Sequence, residues 1–382
     1  ITRINFKSQV SYIIYFSLGF YSLGFYWIPY TLQEFGAIPS PFHILLGLIF
    51  TVVLLPQLIT LTIIQTSINN FLIKKQIDNN YLSVKHILIA FLLTLLEQVI
   101  PQQFPAHIGH SWLQLAPFLG LTPILGAASF SFISFLAALI ISRYFKYKKL
   151  DYFSLVIVVI FIIANFLFPL RSQENLQYKY QLRIVQANIG NNLKISSEEG
   201  SPLSIKKVFK RYFDLSTKNL PTRTDLIIWP ETAFPNSISS KSINNVEYPL
   251  PKLLNSVTEY TNTDLFFGGY NHNEKSFNQH FQSEYNTAFL LSSKTKQLTL
   301  YNKIKLLPFG EGLPFGPLNK FLSNYINNIS YFAAGDKFSL FTTSSKLRFT
   351  SAICYEILFT NFIRKQINNL NKMPQIIINL TN

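Results

Sequence analysis

The sequence lacks the residue patterns that disulfide-linked, metal-binding and nucleotide-binding proteins usually show. Its 382 residues include one cysteine, which excludes a disulfide within the chain. It has no glycine-rich phosphate loop, no internal repeat and no low-complexity tract. The two closest histidines, His107 and His110, have no cysteine or carboxylate near them in the sequence, so no metal site is expected there.

Charge is also scarce, whereas apolar residues are abundant. Only 13% of the residues are charged, while 48% are hydrophobic and 36 are phenylalanine. The mean hydropathy of +0.23 is high for a soluble chain of this length and indicates a membrane-embedded part. A net charge of +15 is compatible with nucleic-acid binding. Here, however, many lysines stand in short connectors beside long apolar runs, which is typical of membrane proteins and argues against a nucleic-acid partner.

Five apolar runs are predicted to be membrane spans, over residues 10–30, 42–73, 86–100, 112–141 and 152–170. Crossing the hydrocarbon core takes about 20 residues, so the third run is short, and a buried helix of a soluble protein is its alternative interpretation. Glu97 interrupts this third run. A carboxylate within a span is costly unless it faces the protein interior, so Glu97 is either a functional residue or a helix-packing or interfacial one.

The connectors between these runs alternate between basic ones and ones without Lys or Arg. Basic residues precede the first run, follow the second around Lys74, and follow the fourth over 143–149. The connectors 31–41 and 101–111 contain neither Lys nor Arg. By the positive-inside rule, this pattern puts the N-terminus in the cytoplasm and everything after Leu170 outside, which in a bacterium is the periplasm. The strict alternation requires the third run to cross as well.

After Arg171, polar segments alternate with short β-branched runs and helix-length stretches, which predicts an α/β domain. The expected strands are 182–186, 225–229, 264–268, 286–291 and the run that ends at Cys354, and the expected helices are 205–218 and 251–261. We therefore predict an α-helical transmembrane bundle of about five spans over residues 1–171 and an extracytoplasmic α/β domain over residues 172–382.

Unusual polar residues stand where strands of this domain should end. Cys354 closes a short apolar run just before a polar Tyr-Glu pair, which puts its side chain at a strand-to-turn junction. A lone cysteine by itself is more often a small core residue than a nucleophile. Glu231 follows another strand and lies between two prolines, while Lys303 and Glu311 lie in a turn-rich apolar segment. The segment 285–287 either supports such a site or is plain strand.

Glu, Lys and Cys at strand ends form a complete set for acyl transfer through a thioester. A free thiol has a pKa of about 8.5 and needs a base or an electropositive site to become a nucleophile. A buried carboxylate can act as the base, and a lysine together with a backbone N–H beyond the cysteine can stabilise the oxyanion that forms on attack. No histidine is needed, so Glu231, Lys303 and Cys354 are the candidate catalytic residues.

The order Glu231, Lys303, Cys354 resembles the nitrilase superfamily, whose Glu-Lys-Cys triad lies on an αββα sandwich. More narrowly, three segments resemble the apolipoprotein N-acyltransferases: W-P-E-T-A-F-P at 229–235, Y-N-K-I-K-L-L-P-F-G-E-G-L-P at 301–314 and A-I-C-Y-E-I at 352–357. The segment 185–189 resembles the first strand motif of that family, in which Lys194 also belongs. The resemblance covers nearly the whole chain, since that family also has a membrane bundle before its outer domain.

The resemblance implies that a fatty acyl chain passes from a membrane phospholipid, through Cys354, to the N-terminal amine of diacylglyceryl-cysteine on an apolipoprotein. It implies Glu311, Tyr355 and Glu356 as supporting residues, with Glu311 orienting Lys303 and the Tyr355-Glu356 pair shaping the oxyanion side. The expected partners are the phospholipid donor, the diacylated apolipoprotein acceptor and the bilayer, and neither a cofactor nor a metal is expected. The expected location is the bacterial inner membrane, with the catalytic domain on the periplasmic side.

The sequence departs from this family at its ends. The family has seven spans before the outer domain and one after it, so the chain is expected to be truncated at both ends and its sandwich to be incomplete at the C-terminus. The alternative interpretation is a membrane-tethered nitrilase-like amidohydrolase that uses the same triad with water as the acceptor. The apolar loop 312–321, with 331–332 beyond it, is expected either to dip into the bilayer surface as a lid or to pack against the sandwich.

Overall fold

The computed structural model divides the chain into two compact units, Ile1–Asn175 and Leu176–Asn382. The structure describes residues 26–34, 39–54, 82–100, 107–168, 180–221, 223–239, 252–272, 282–308, 310–313, 316–324 and 329–382, with residue 63 and isolated positions before residue 26. Parts of the predicted first run, the second run beyond residue 54 except residue 63, and the basic connector around Lys74 lie outside the described residues.

The described part of the N-terminal unit is helical. Its elements are α1 Trp27–Glu34, α2 Phe42–Leu54, α3 Leu82–Val99, a 3₁₀-helix Ile108–Phe118, α4 Thr122–Tyr147 and α5 Tyr152–Leu167. Apolar side chains of α3, α4 and α5 share one core, which includes Ala90, Leu136 and Val158. These side chains pack the three helices against one another.

Helix α4 is the one helix among the described residues that is long and apolar enough to cross a membrane, and α5 is a shorter apolar helix. The predicted fourth run differs from the structure in its first part. Residues Ile108–Phe118 form a separate 3₁₀-helix, and α4 begins only at Thr122. Pro117 and Pro123 explain the break, because proline lacks a backbone N–H and is favoured in the first turn of a helix.

Glu97 lies near the end of α3, where it is 3% exposed. Its Oε1 accepts a hydrogen bond of 2.7 Å from the backbone N–H of Ile108, and its Oε2 lies 3.7 Å from Nδ1 of His107. The carboxylate therefore ties the end of α3 to the 3₁₀-helix that follows it. This contact favours the helix-packing interpretation of Glu97.

The C-terminal unit alternates strands and helices. Its strands are β1 Leu182–Ile184, β2 Leu226–Ile228, β3 Ser237–Ile238, β4 Leu265–His272, β5 Glu284–Leu291, β6 Leu298–Asn302, β7 Leu340–Thr342, β8 Arg348–Ile353 and β9 Ile376–Leu380. Its α-helices are α6 Asn191–Glu198, α7 Pro202–Thr217, α8 Lys252–Thr261, α9 Asn319–Leu322 and α10 Thr360–Asn368, with 3₁₀-helices at Gly316–Leu318 and Cys354–Leu358. Every predicted strand is present with shifted ends, whereas β3, β6 and β7 and the helices α6, α9 and α10 are not predicted by the apolar pattern.

The strands form two sheets. The first has the order β1-β2-β4-β5-β6, with β3 also paired to β4, and the second has the order β7-β8-β9. Strands β1, β2 and β4 are parallel, and β5 and β6 continue the first sheet in antiparallel fashion. In the second sheet β8 is antiparallel to β7 and parallel to β9.

One face of the first sheet packs against helices α7 and α8. Ile227, Trp229 and Phe267 from the sheet belong to this core. Tyr212 of α7 stacks on Trp229 with ring centroids 4.9 Å apart, and the indole Nε1 of Trp229 donates to the hydroxyl of Ser216 at 2.8 Å. The tryptophan before the predicted Glu231 loop is thus anchored by both its apolar body and its polar N–H.

The other face of the first sheet packs against the second sheet. Phe266 meets Phe341 and Phe349 with ring centroids 5.1 Å and 4.8 Å apart. On the far face of the second sheet, Gln366 of α10 donates to the carbonyl oxygen of Ser351 at 2.8 Å. The layers are therefore helix, sheet, sheet and helix, which confirms the predicted αββα sandwich for this unit.

Candidate active site

Three of the predicted site residues come just after strand ends. Glu231 follows β2 after two intervening residues, while Lys303 and Cys354 directly follow β6 and β8. Strand β6 is antiparallel to β5, which is antiparallel to β4, so β6 runs in the same direction as β2 and β4. The C-terminal ends of β2 and β6 therefore lie at the same edge of the first sheet. This brings Glu231 and Lys303 together.

At this edge a buried lysine stands between two carboxylates. The Nζ of Lys303 lies 2.8 Å from both oxygens of Glu311 and 3.4 Å from Oε1 of Glu231. Asn286 of β5 donates from Nδ2 to Oε1 of Glu231 at 2.8 Å and to Oε1 of Glu311 at 2.7 Å. The backbone N–H of Leu307 donates to Oε2 of Glu311 at 2.8 Å. Shared cationic and amide donors thus hold together two carboxylates that would otherwise repel each other.

The charges of this cluster keep the lysine protonated. Burial by itself lowers the pKa of Lys303, but the carboxylates of Glu311 and Glu231 outweigh burial and raise that pKa. Both hydrogen bonds to the Glu231 carboxylate, from Asn286 and Lys303, end on Oε1. Oε2 of Glu231 is therefore the oxygen available to take a proton from a neighbouring group.

Cys354 lies at a sharp turn between β8 and the 3₁₀-helix Cys354–Leu358. Its φ of 51° is left-handed, a conformation that costs a non-glycine residue about 1–3 kcal/mol. The half-buried thiol interacts with the backbone N–H of Tyr355 and the side chain of Thr381. Burial, and after it the carboxylate of Glu231, raise the pKa of Cys354, and the ammonium of Lys303 opposes this only in part. The thiol is protonated at neutral pH and needs a base before it can attack.

Glu356 connects the two strand ends that carry the candidate lysine and the candidate cysteine. Its fully buried carboxylate accepts hydrogen bonds of 2.8 Å from the backbone N–H groups of Ile304 and Lys305, just beyond β6. It also accepts a bond of 2.9 Å from the N–H of Ile353, at the end of β8, and bonds of 3.0 Å from the hydroxyl of Tyr301. Burial raises the pKa of Glu356 in spite of these bonds. One carboxylate thereby fixes the spacing of the two strand ends.

Tyr355 makes a further link between the same two segments. Its hydroxyl donates to the carbonyl oxygen of Leu306 at 2.8 Å, and burial, followed by the charge of Glu311, raises its pKa to about 12. Lys305 points elsewhere than Lys303, because its Nζ lies over the ring of Phe359, 5.7 Å from the centroid. Of these two lysines, Lys303 is the one whose ammonium contacts Glu231 and Glu311.

The loop that carries Glu231 packs directly onto the backbone of β4. A Cβ at Gly268 would lie 2.5 Å from the backbone N of Thr232 and 2.6 Å from Cα of Glu231. The N–H of Gly268 donates to the carbonyl oxygen of Pro230 at 3.1 Å. The carbonyl oxygen of Gly268 in turn accepts a hydrogen bond of 3.0 Å from the N–H of Phe234. A residue without a side chain is required for this close approach.

The comparison with protein families supports the same conclusion as the geometry. The family model for carbon-nitrogen hydrolases matches residues 181–381, which is more than half of the chain. The chain belongs to the carbon-nitrogen hydrolase family. A second model, for the N-terminal domain of apolipoprotein N-acyltransferases, matches residues 2–140. The resemblance drawn from the motifs is therefore confirmed at the level of the family.

Relatives of this carbon-nitrogen hydrolase include bacterial apolipoprotein N-acyltransferases. That of Bdellovibrio bacteriovorus is 27% identical over 374 residues, which cover 94% of this chain and 66% of the relative. The enzyme of Haemophilus ducreyi is 25% identical over 395 residues, which cover 100% of this chain and 71% of the relative. The enzyme of Rickettsia prowazekii is 32% identical over 202 residues, which cover 53% of this chain and 36% of the relative. The chain thus spans about two thirds of the length of the first two relatives.

Two further residues belong to this carbon-nitrogen hydrolase site. Asn286 lies in the segment 285–287, for which the sequence predicts either a supporting role or plain strand, and its bonds to Glu231 and Glu311 favour the supporting role. Gly268 is part of a Gly-Gly pair within a strand, a pattern that often marks close backbone approach. Among the described residues, no three His, Cys, Asp or Glu side chains form a group suited to a metal ion.

The loop expected to be a lid or a packed segment differs in exposure between its two parts. Leu318 and Phe321 are 61% and 60% exposed. Tyr331 is buried, and Phe332 stacks on Tyr270 with ring centroids 5.7 Å apart. Residues 314–315 lie outside the described residues. The second half of the segment therefore packs against the sandwich, and the described residues of its first half expose apolar side chains.

Proposed function

We propose that this chain transfers a fatty acyl chain from a membrane phospholipid, through a thioester on Cys354, to the N-terminal amine of diacylglyceryl-cysteine on an apolipoprotein. One observation carries the proposal. A buried Glu231-Lys303 pair beside the half-buried Cys354 shares a chain with a segment similar to the N-terminal domain of apolipoprotein N-acyltransferases. A soluble amidohydrolase has no use for a membrane anchor. An acyltransferase of this kind needs one, because a bilayer holds both of its substrates.

In the first half-reaction, Oε2 of Glu231 takes the proton of the Cys354 thiol, and the thiolate attacks the ester carbonyl carbon of the phospholipid. The carbonyl oxygen becomes an oxyanion, which Nζ of Lys303 and the backbone N–H of Tyr355 stabilise. Collapse of this intermediate breaks the ester C–O bond. The lysophospholipid leaves with the proton from Glu231, and the acyl chain remains on Sγ as a thioester.

In the second half-reaction, the neutral amine of the acceptor attacks the thioester carbonyl carbon, and Glu231 takes a proton from the amine. The same two donors hold the second oxyanion. Collapse breaks the C–S bond, and the Cys354 thiolate regains its proton from Glu231. The product is an amide, and the site returns to its starting state.

The charges of the cluster suit both half-reactions. The raised pKa of Lys303, caused by Glu311 and Glu231 against the effect of burial, keeps an ammonium beside the oxyanion throughout. The raised pKa of Cys354 keeps the resting thiol protonated, so it becomes reactive only when Glu231 is in position to take the proton.

We also propose that residues 1–171 form a transmembrane bundle and that residues 172–382 form the catalytic domain on the periplasmic face of a bacterial inner membrane. The length and apolar composition of α4 support this. Large side chains on α5 are exposed, among them Ile160 at 60% and Leu167 at 70%, which suits a lipid environment. The basic residues at 143–149 fit the cytoplasmic end of α4 under the positive-inside rule.

Intact-protein mass spectrometry of the full chain in phospholipid nanodiscs tests the chemistry. We expect one added acyl chain on Cys354, absent from the Cys354→Ala variant, and transfer of that chain to a synthetic diacylglyceryl-cysteine peptide. An acyl group on another residue would refute the choice of nucleophile. Release of free fatty acid without acylation of the peptide would favour a hydrolase instead.

Accessibility labelling tests the topology. Single cysteines at Ser111 and Lys148 in a Cys354→Ala background should be labelled from opposite sides of the membrane, Ser111 from the periplasm and Lys148 from the cytoplasm. Labelling of both from the same side would show that the number of spans between them is wrong.

A further inference from the structure

A second polar cluster lies against the loop that carries Glu231, on residues to which the mechanism gives no role. Lys194 of α6 donates from Nζ to the hydroxyl of Thr232 at 2.6 Å. Thr232 also shares a hydrogen bond with the hydroxyl of Tyr270 on β4. The Tyr270 hydroxyl in turn donates to Oε1 of Glu198 at 2.6 Å, and the same oxygen lies 4.0 Å from Nζ of Lys194. The hydroxyl of Thr232 is thus held from two sides.

Thr232 has a backbone conformation that needs such support. Its φ is 48°, in the left-handed region, which is unfavourable for a β-branched residue. Strained residues of this kind persist only where surrounding contacts hold them. Thr232 directly follows Glu231, and on its other side the loop rests on the backbone at Gly268. The contact at Gly268 blocks movement of the loop toward β4, and Lys194 holds the loop to α6.

We propose that Lys194 is a positioning residue for the base: through the hydroxyl of Thr232 it holds the strained loop in the conformation that aims Glu231 at the nucleophile. This inference rests on the proposed function. Lys194 is itself partly exposed, so a direct contact with the phosphate of the donor is the competing role for its charge. The two roles predict different kinetics.

Single-turnover thioester formation, measured at several phospholipid concentrations, separates the two roles. Lys194→Met should slow acylation at saturating phospholipid by roughly tenfold. A misplacement of about 1 Å can slow a positioned reaction by about 10²-fold, and we expect the Glu231 loop to move by less than that. The half-saturating phospholipid concentration should stay unchanged, and Lys194→Arg should restore most of the rate. The exposed Lys207 of α7 supplies the control, and Lys207→Met should behave as the wild type. A raised half-saturating concentration with an unchanged maximal rate would overturn the proposal in favour of phosphate binding.

A double-mutant cycle tests whether Lys194 acts through Thr232. Thr232→Val removes the hydroxyl and keeps the shape of the side chain. If Lys194 acts through the Thr232 hydroxyl, Lys194→Met should slow acylation little further in the Thr232→Val background. Independent, multiplicative effects would mean that Lys194 does not act through this hydroxyl, and the proposal would be wrong.

Alkylation of Cys354 by iodoacetamide as a function of pH gives a readout that needs no lipid. Burial and the charge of Glu231 raise the pKa of Cys354, so a displaced carboxylate should lower the midpoint of alkylation. Loss of the positive charge of Lys194 alone would act in the opposite direction. A midpoint that falls in Lys194→Met but not in Lys207→Met supports the proposal, and an unchanged midpoint overturns it. If the wild type forms no thioester, the proposed function fails, and this measurement still decides the role of Lys194.

Discussion

Gly268→Ala is the most direct test of how the fold positions the base. The added Cβ would lie 2.5 Å from the backbone N of Thr232, 2.6 Å from Cα of Glu231 and 2.7 Å from the carbonyl oxygen of Pro230. Ordinary contact begins at about 3.4 Å, so the loop must move by roughly 0.9 Å. All three atoms belong to the backbone, so no side-chain rotation can relieve the overlap. A misplacement of about 1 Å can slow a positioned reaction by about 10²-fold.

The assay is single-turnover formation of the thioester, followed by intact-protein mass spectrometry, with thermal unfolding measured in parallel. The neighbouring glycine is a matched control. A Cβ at Gly269 would lie 3.3 Å from the carbonyl oxygen of Phe234 and at least 3.5 Å from other atoms, so Gly269→Ala requires only a slight adjustment. We expect acylation to fall by about 10²-fold in Gly268→Ala and by much less in Gly269→Ala.

Two results would refute this reasoning. One is a Gly268→Ala variant that forms the thioester at the wild-type rate, since the position of Glu231 would then not limit proton transfer. The other is an equal loss in both variants, which would point to a general effect of alanine in β4 rather than to the loop. Melting temperatures distinguish a displaced loop from a chain that no longer folds.

Three further predictions concern the charged residues. Lys303→Ala should keep phospholipid binding but slow acylation by roughly 10²–10³, the usual cost of one oxyanion donor, whereas Lys305→Ala should change it little, as measured by single-turnover kinetics. Glu231→Gln should abolish thioester formation and at the same time lower the midpoint pH of Cys354 alkylation, because after burial the carboxylate is the main cause of the raised thiol pKa. Glu356→Gln should lower the free energy of unfolding by about 2 kcal/mol or more, because an amide NH₂ then faces backbone N–H donors, as chemical denaturation can measure.

The strand ends of the site were predictable from local patterns. The apolar run before Cys354 and the Trp-Pro-Glu sequence before the Glu231 loop mark a buried strand followed by a forced turn, and the structure has both. Helix α6 was missed because its sequence, NNLKISSE, has no apolar periodicity and a low helical propensity. Lys194 lies on that helix, so its contact with Thr232 could not be foreseen.

The long-range contacts of the site were not predictable, because they depend on which strands become neighbours. The role of Gly268 follows from the packing of the 230–234 loop onto β4, and that of Asn286 from the position of β5 between β4 and β6. Glu356 was expected to shape the oxyanion side. Its bonds to the backbone beyond β6 also give it a structural task, which needs the second sheet to be in place.

The hydrogen bonds of the two glutamates support the different roles proposed for them. Both oxygens of Glu311 are occupied: Oε1 by Asn286 and Lys303, and Oε2 by Lys303 and the backbone N–H of Leu307. Each oxygen of Glu311 therefore contacts Lys303 and one further donor. Glu231 receives its hydrogen bonds on Oε1 alone, so Oε2 can gain and lose a proton without disturbing Asn286 or Lys303. Glu311 thus anchors Lys303, while Glu231 keeps one oxygen without a bond to Lys303 or Asn286, which is the division that the two proposed acyl transfers on Cys354 require.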